Sequence, residues 1–485
     1  MKNIFALALF TLLFSACTKL DEDAPFIEEQ NFYKTTDDAL AAVTGVYSHL
    51  SHDVSGLSDF GLYQRQLHLT TDLISDDAKA GIGATNTNVR NLGDVAFTTA
   101  NDRVEKTWRQ HYSAINRANA VIANIGAMTN VDATLKNRLI GETKFIRGLL
   151  YFNLVRLWGD VPLITQATVG EDVQDGNLNV KRSPVADVYK QIITDLTDAE
   201  AALPARFSGA DVGRATQGAA KSILAKVYLT QKDWAKAAAK AQEVITGAYG
   251  YDLFPNFADA FNVATKNGVE HIFSVQFKSI AGNANNMGIL AAPNALVATP
   301  GGGPLRGNEA DVPQAGLYEQ YSADDKRRDA TFYTELTLNG VKYTFPPHFK
   351  KYFDPSVVNN PGLSGANFPV IRFSDVLLIY AEALNEQSGP SGDAYTAINR
   401  VRTRAGLPAL ANLSQAQFRD AVYLERRLEF VYESQRWFDL LRTGRMLSEL
   451  HAHGKPNAQQ KHYLLPIPQR ELDNNPNLGP QNPGY

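Results

Sequence analysis

The stretch ATQGAAKSILAKVYLTQKDWAKAAAKAQEVIT, residues 215–246, reads as two helices and the turn between them. Ala219, Ile223, Leu224, Val227 and Tyr228 fall on one helical stripe. Gln231-Lys232-Asp233 turns the chain, and Trp234, Ala237, Ala238, Ala241, Val244 and Ile245 make a second stripe. Small alanines at the contact positions let the two helices approach closely. This is the grammar of a tetratricopeptide unit, a helix–turn–helix that buries its apolar face by stacking on neighbours. The period is not clean elsewhere, so the expected class is all-α, built from helix pairs and not from a regular array.

Helical spacing extends to both sides. Within Val104–Ile125, the residues Val104, Trp108, Tyr112, Ile115 and Ile122 recur at helical intervals. In Leu135–Leu157, Phe145, Ile146, Leu149, Leu150, Phe152 and Leu154 wrap nearly the whole circumference, which predicts a helix packed on several sides. Gly159 and Pro162 end it. From Gly247 to Pro369, glycine, proline, asparagine and aromatics interrupt any long period, and only short runs such as His271–Phe277 and Tyr333–Leu338 read as strands. Its apolar content requires this segment to fold against something. Helices resume at Phe373–Leu384. Asp393 is placed to cap the next helix, which ends at Gly406, and Ser414 to Gln417 forms a capping box. The C-terminus, from Leu464 to Tyr485, is extended and proline-punctuated.

The N-terminus addresses the chain. Lys2 and the apolar run Ile4 to Phe14 fit a secretory signal, being too short for a permanent span. Phe14-Ser15-Ala16-Cys17 looks like a lipobox, with cleavage before Cys17 and acylation of the new N-terminus. Residues 1–16 are therefore expected to be signal peptide and residues 17–30 a lipidated acidic tether. The acidic run Asp21-Glu22-Asp23 resembles the signal that sends lipoproteins to the cell exterior. Cys17 is the only cysteine in 485 residues, so the mature body can have no disulfide and relies on a large core. With net charge −4 and pI near 6.2, no basic face advertises nucleic acid or anionic lipid. The membrane is reached through the lipid alone.

No arrangement specific to catalysis emerges. Glu425, Glu429 and Glu433 lie four apart on one helix face, but Arg426, Arg427 and Arg436 are interleaved, which favours ion pairing over glycoside hydrolysis. His451, His453 and His462 have no carboxylate near them in sequence to complete a metal set, and read as a solvated loop. Gly301-Gly302-Gly303 lacks the lysine and context of a phosphate loop. Gly-x-Ser-x-Gly and His-Glu-x-x-His are absent. No catalytic residue, metal ligand or cofactor site is assigned.

The chain resembles the SusD/RagB family of nutrient-binding lipoproteins, on pieces spread over nearly the whole mature length. They are Arg117-Ala118-Asn119; Glu142 to Arg147 running into Leu157-Trp158-Gly159-Asp160-Val161-Pro162; Gly213-Arg214-Ala215-Thr216; and Arg372 to Ala383. Ile398 to Arg402, Glu425 to Phe430, Arg436 to Leu440, Leu465-Pro466-Ile467-Pro468 and Asn482-Pro483-Gly484-Tyr485 complete the set. The resemblance implies about four tetratricopeptide-like pairs in a superhelical scaffold, with an irregular loop and short-strand insert between the third and fourth. Residues 31–246 and 370–485 would then be the helical regions and 247–369 the ligand-binding insert. It further implies capture of a nutrient at the cell surface for a SusC-like, TonB-dependent outer-membrane transporter.

Sugar binding needs aromatic faces for the ring and polar side chains for its hydroxyls. All four tryptophans (Trp108, Trp158, Trp234, Trp437) fall in or at the ends of helical segments, where core packing is their expected use. The insert offers Tyr318, Tyr321, Tyr333, Tyr343 and Phe345, with Arg306 and Asn308 after the glycine run. A second polar segment, Tyr63 to Asn91, carries Asp72, Asp76, Asp77 and Arg90 and is placed to line the same cleft. The ligand candidates are therefore Tyr63, Asp72, Arg306, Asn308, Tyr318 and Tyr343. Without a tryptophan platform in the insert, a short or furanose-rich glycan, or a peptide, stays open. Two other classes compete: a helical-repeat protein that organises an outer-membrane complex, and a secreted hydrolase, which the missing catalytic constellation disfavours.

Overall fold

The computed structural model describes residues 32–53, 60–168, 180–293, 307–338, 340–357 and 361–485. The signal, Cys17 and tether readings fall outside them. Four helix pairs follow one another: α1 (Thr36–Ser51) with α2 (Asp102–Ala127), α3 (Ala133–Trp158) with α4 (Val185–Ala202), α5 (Gln217–Thr230) with α6 (Trp234–Thr246), and α7 (Phe373–Ser388) with α8 (Gly392–Arg404). Most starts have a local cause, α4 and α7 having no side-chain cap. Thr35 and Asp38 make a capping box on α1, and Asn101, Asp132, Thr216 and Asp233 cap α2, α3, α5 and α6. The α5–α6 turn is tight enough to put Lys232 at φ 61°.

α3 is the central helix. From Gly141 to Trp158 only Lys144 and Arg156 are not fully buried, as its all-round apolar pattern predicts. Two glycines let α4 lean on it: a Cβ at Gly141 would lie 2.8 Å from that of Ala202, and one at Gly148 3.1 Å from Leu196. α6 packs on α7, so the third and fourth pairs meet although the insert separates them in sequence. α9 (Gln415–Phe430), α10 (Arg436–Thr443) and α11 (Met446–Ala452) complete the C-terminal part. Ser414 forms the expected capping box with Gln417. On α8 the cap is Ser391 instead of Asp393, because Ser391 is the residue in extended backbone; Asp393 sits in the first turn, where the helix dipole favours it. Trp158 and Trp437 are fully buried, Trp108 nearly so, and Trp234 half-buried.

The insert carries short strands. β2 (His271–Val275) pairs antiparallel with β6 (Phe368–Arg372), closing the insert at its base, and β4 (Phe332–Leu338) forms a hairpin with β5 (Val341–Phe349). β1 (Ala78–Ala80), which lies between α1 and α2 in sequence, pairs with β3 (Asp311–Pro313), Ala78 opposite Pro313 and Ala80 opposite Asp311. The segment before α2 is thereby joined to the insert.

Charge ties insert to scaffold. Arg327 reaches Glu425 at 2.6 Å and Glu429 at 3.2 Å, and Arg372 reaches Glu429 and Glu433 at 2.9 Å each. Arg404 bonds Glu429 and Lys351 bonds Glu433, at 2.5 and 2.6 Å, and every one of these groups is buried. The three glutamates are structural ion-pair partners. The C-terminal tail returns to α3: Leu465 N–H donates to the Leu157 carbonyl at 2.7 Å, Trp158 Nε1 to Pro466 at 2.9 Å, and Asn482 Nδ2 to Trp158 at 3.0 Å. The tail is less extended than its prolines suggest, with helical turns at Gln469–Asn474 and Pro476–Leu478. Among the described residues no helix is long and apolar enough to cross a membrane.

Candidate functional site

The β1–β3 pairing brings two loops into contact. Gly81 N–H donates to Ala310 at 3.1 Å and Gly83 N–H to Glu309 at 3.0 Å. A Cβ on Gly83 would fall 1.4 Å from the Asn308 carbonyl oxygen, so only glycine allows this approach. Between the glycines Ile82 stands 68% exposed, against the usual placement of isoleucine. Arg90, on the short helix Thr87–Gly93, donates to the Ile82 carbonyl at 3.4 Å. On the far side of the 307–310 loop, Glu309 N–H donates to Ala292 at 2.9 Å. Tyr343, Phe345 and Phe353 pack around Ala292, with Tyr333 edge-on to Phe345 at 5.2 Å. The 307–310 loop, in which Asn308 is exposed, thus has the exposed Ile82 side chain and Arg90 on one side and half-buried aromatic rings on the other.

The loop is anchored by charge from below. His68, buried, bonds Asp72 through Nδ1 at 2.9 Å and Asp311 of β3 through Nε2. Burial alone would lower its pKa, but the Asp311 and Asp72 carboxylates carry it up to about 9, so the ring is an imidazolium. Asp72 also accepts from the Ser434 N–H at 2.7 Å, linking the segment to the turn after α9. Asp76 takes two bonds from Arg436, at 2.8 and 2.7 Å, and Asp77 one from Arg427 at 2.8 Å. The acidic residues of this segment thus point into the scaffold while Arg90 stays exposed.

Among the six ligand candidates, Asn308 and Tyr343 both adjoin the 307–310 loop: Asn308 lies in it, and Tyr343 packs on Ala292, whose carbonyl accepts from the Glu309 N–H. Arg306 lies outside the described residues. Tyr63 is buried, its hydroxyl accepting from Asn153 at 3.0 Å and its ring 5.5 Å from Phe368; Asp72 is buried in the His68 arrangement. Tyr318 is half-buried elsewhere, edge-on to Phe332 at 5.6 Å with the Arg328 guanidinium over its ring. Tyr321 is buried and donates to the Leu428 carbonyl at 2.6 Å. Sequence reading missed Ile82 and its two glycines. The available signal was an isoleucine flanked by glycines directly after a short alternating run.

One group of possible metal ligands assembles among the described residues: Asp76, Glu449 and His453, with ligand atoms within 4.8 Å of one another. Arg427 and Arg436 already neutralise Asp76, at 2.9 and 2.7 Å, and keep its carboxyl charged, so the geometry is that of an ion-pair cluster and no metal is assigned. The histidines do not share a solvated loop. His451 is exposed on α11, His453 approaches Asp76, distant in sequence, and Glu449, a carboxylate only four residues before it that the sequence already offered, and His462 is buried beside Phe97 and Tyr485. Burial, then Lys461, pushes His462 down to about 4.

Comparison with known proteins settles the family. The SusD family model matches residues 334–485, and a second model, described as starch-binding associating with outer membrane, matches residues 47–229. The SusD-like protein P2 of Formosa agariphila is 32% identical over 100% of this chain and 99% of its own length. The chain belongs to the SusD family. A SusD superfamily protein of Parabacteroides distasonis is 28% identical, with TM-score 0.80 over 93% of this chain and 99% of that one. A laminarin-binding SusD-like protein is 27% identical, with TM-score 0.77 over 93% of this chain and 100% of that one. The all-α scaffold with paired helices is the SusD fold.

Proposed function

We propose that this SusD-family chain is a non-catalytic lipoprotein of the outer-membrane surface. It captures an oligosaccharide or polysaccharide and delivers it to a SusC-like TonB-dependent transporter. The observation that carries the reading is the set of apolar and polar groups around the 307–310 loop, Ile82, Arg90, Asn308 and Tyr343, on a fold shared with a laminarin-binding relative. A pyranose presents C–H groups on one face and hydroxyls at its edge. Rings and an aliphatic side chain suit the first; an amide and a guanidinium suit the second. In this reading Asn308 and Tyr343 touch the ligand, while Asp72, through His68 and Asp311, positions the strand beneath them. Tyr63 and Tyr318 hold their segments to the core. The helical regions 31–246 and 370–485 form the scaffold, and 247–369 is the ligand-binding insert.

The apolar run before Cys17 and the family's outer-membrane association support the location. Weak binding suffices beside a pore, because a tethered receptor sees a high effective concentration. The test is native affinity electrophoresis of the chain from Thr18 onward against a panel of polysaccharides, with peptides as competitors. Retardation by a glycan that weakens roughly tenfold in Tyr343→Ala and Asn308→Ala is expected, each lost contact costing about 1–1.5 kcal/mol. No retardation across the panel would overturn the glycan reading, and peptide binding in its place would make the ligand a peptide.

A further inference from the structure

A second concavity lies in the insert, between residues 256–264 and 326–356, with a volume of about 600 Å³. Phe353 lines it and also packs on Ala292, so it shares a wall with the site described above. Its apolar lining includes Phe261 and Val263, and its rim has the exposed amides Asn256 and Asn262. Both amides use their carbonyl oxygens to cap short turns, accepting from Ala258 and Ala264 at 3.4 and 2.9 Å. Such a lining suits a sugar ring; the charges narrow the choice further.

Three lysines and two aspartates line the cleft. Lys351 is buried and paired with Glu433 at 2.6 Å. Asp354 is buried too, its oxygens accepting from Ser356 N–H at 3.0 Å, Ser356 Oγ at 2.6 Å and Gly365 N–H at 3.1 Å. Asp329 is exposed and held by Arg328 at 3.0 Å. Lys326 and Lys350 are left. Both are exposed, and among the described residues neither has a carboxylate within ion-pair distance; Lys350 Nζ donates only to the Asp329 backbone carbonyl, at 3.0 Å. The cleft therefore presents two uncompensated ammonium groups over an apolar lining, in a chain whose net charge is −4.

We propose that this cleft is a subsite for an acidic saccharide unit, one carrying a carboxylate or a sulfate ester. The proposal rests on the glycan-binding reading and adds a charge requirement to it. The anion meets Lys326 and Lys350, and the ring lies against Phe353, Phe261 and Val263. Attraction of this exposed kind is screened, so it weakens as salt shortens the Debye length from about 10 Å at 0.1 M to about 3 Å at 1 M.

The experiment compares the mature chain with its Lys326→Ala/Lys350→Ala variant and the charge-retaining Lys326→Arg/Lys350→Arg variant. Retardation is measured on polygalacturonate, on a sulfated galactan and on neutral laminarin. Expected is a loss of about tenfold on an acidic polymer in the alanine variant, little change in the arginine variant, and unchanged behaviour on laminarin. Retardation by only one acidic polymer would identify the anion as uronate or sulfate. Retention of laminarin with indifference to both acidic polymers, or an alanine variant that binds them as before, would overturn the proposal and leave the glycan reading standing. Retardation by neither acidic polymer nor laminarin would overturn the acidic subsite, and the full polysaccharide panel would then decide the glycan reading.

Discussion

At Glu429, the Arg404, Arg372, Arg327 and Lys351 cations converge on one buried carboxylate, and their attraction outweighs a burial penalty that alone would raise its pKa. Replacing it by glutamine would leave one uncompensated positive charge out of water, although each cation keeps another carboxylate among Asp325, Glu425, Glu270 and Glu433. Glu429→Gln should therefore cost about 3–5 kcal/mol in denaturant unfolding, the range for breaking a buried pair from one side. A loss under 1 kcal/mol would mean that water reaches the cluster. The glutamate–arginine spacing made ion pairing on α9 legible in the sequence. The partners Arg327, Arg372 and Arg404 were not, because they come from the insert, β6 and α8, and only the closed fold brings them in. His68 makes a second prediction. Its folded pKa, about 9, lies above the ordinary imidazole value of 6.5, so its contribution is complete below pH 6.5 and is lost as pH rises through 9. Buried Lys351 and Lys455, both lowered to about 8 chiefly by desolvation, contribute with the opposite sign. The informative quantity is thus the stability difference between the wild type and His68→Gln, which should shrink by up to about 3 kcal/mol between pH 6.5 and 9. A difference independent of pH would refute the imidazolium.

Elements rather than single residues decide how the site is shaped. The 81–83 loop can lie on the 307–310 loop because Gly83 has no Cβ. Gly83→Ala should introduce about 1–3 kcal/mol of strain, relieved by the loops parting. Glycan retardation should then fall while the melting of the helical pairs barely moves; an alanine variant with undiminished binding would separate this loop from the ligand. The helices were the most legible part of the chain. Period 3.6 and local caps act over a few residues, and α3, α5 and α6 needed nothing else. The strand pairing was illegible for the converse reason: β1 and β3 are three residues each and lie more than 230 positions apart. Asn308 and Tyr343 could be proposed from composition alone, but the contact of the Asn308 loop with residues 81–83 depends on that pairing.

For the whole molecule, attachment can be tested apart from ligand capture. Cys17→Ala should move the protein from the membrane pellet to the soluble fraction with its glycan retardation intact, because Cys17 lies far in sequence from every residue of the site. A variant that still pellets would refute the lipid anchor. Within the body, repeat-like helix pairs ordinarily contact only their neighbours, and such stacks can open from an end. Here the bonds from Leu465, Pro466 and Asn482 to the end of α3 fasten the last residues onto the second pair. A polypeptide is synthesised from its N-terminus, so Trp158 must wait for more than 300 further residues before its indole N–H meets Pro466. The first half of the molecule therefore registers whether the second half has been finished. A chain truncated or clipped before Leu465 would leave that indole without its acceptor and expose the seam between α3 and the tail.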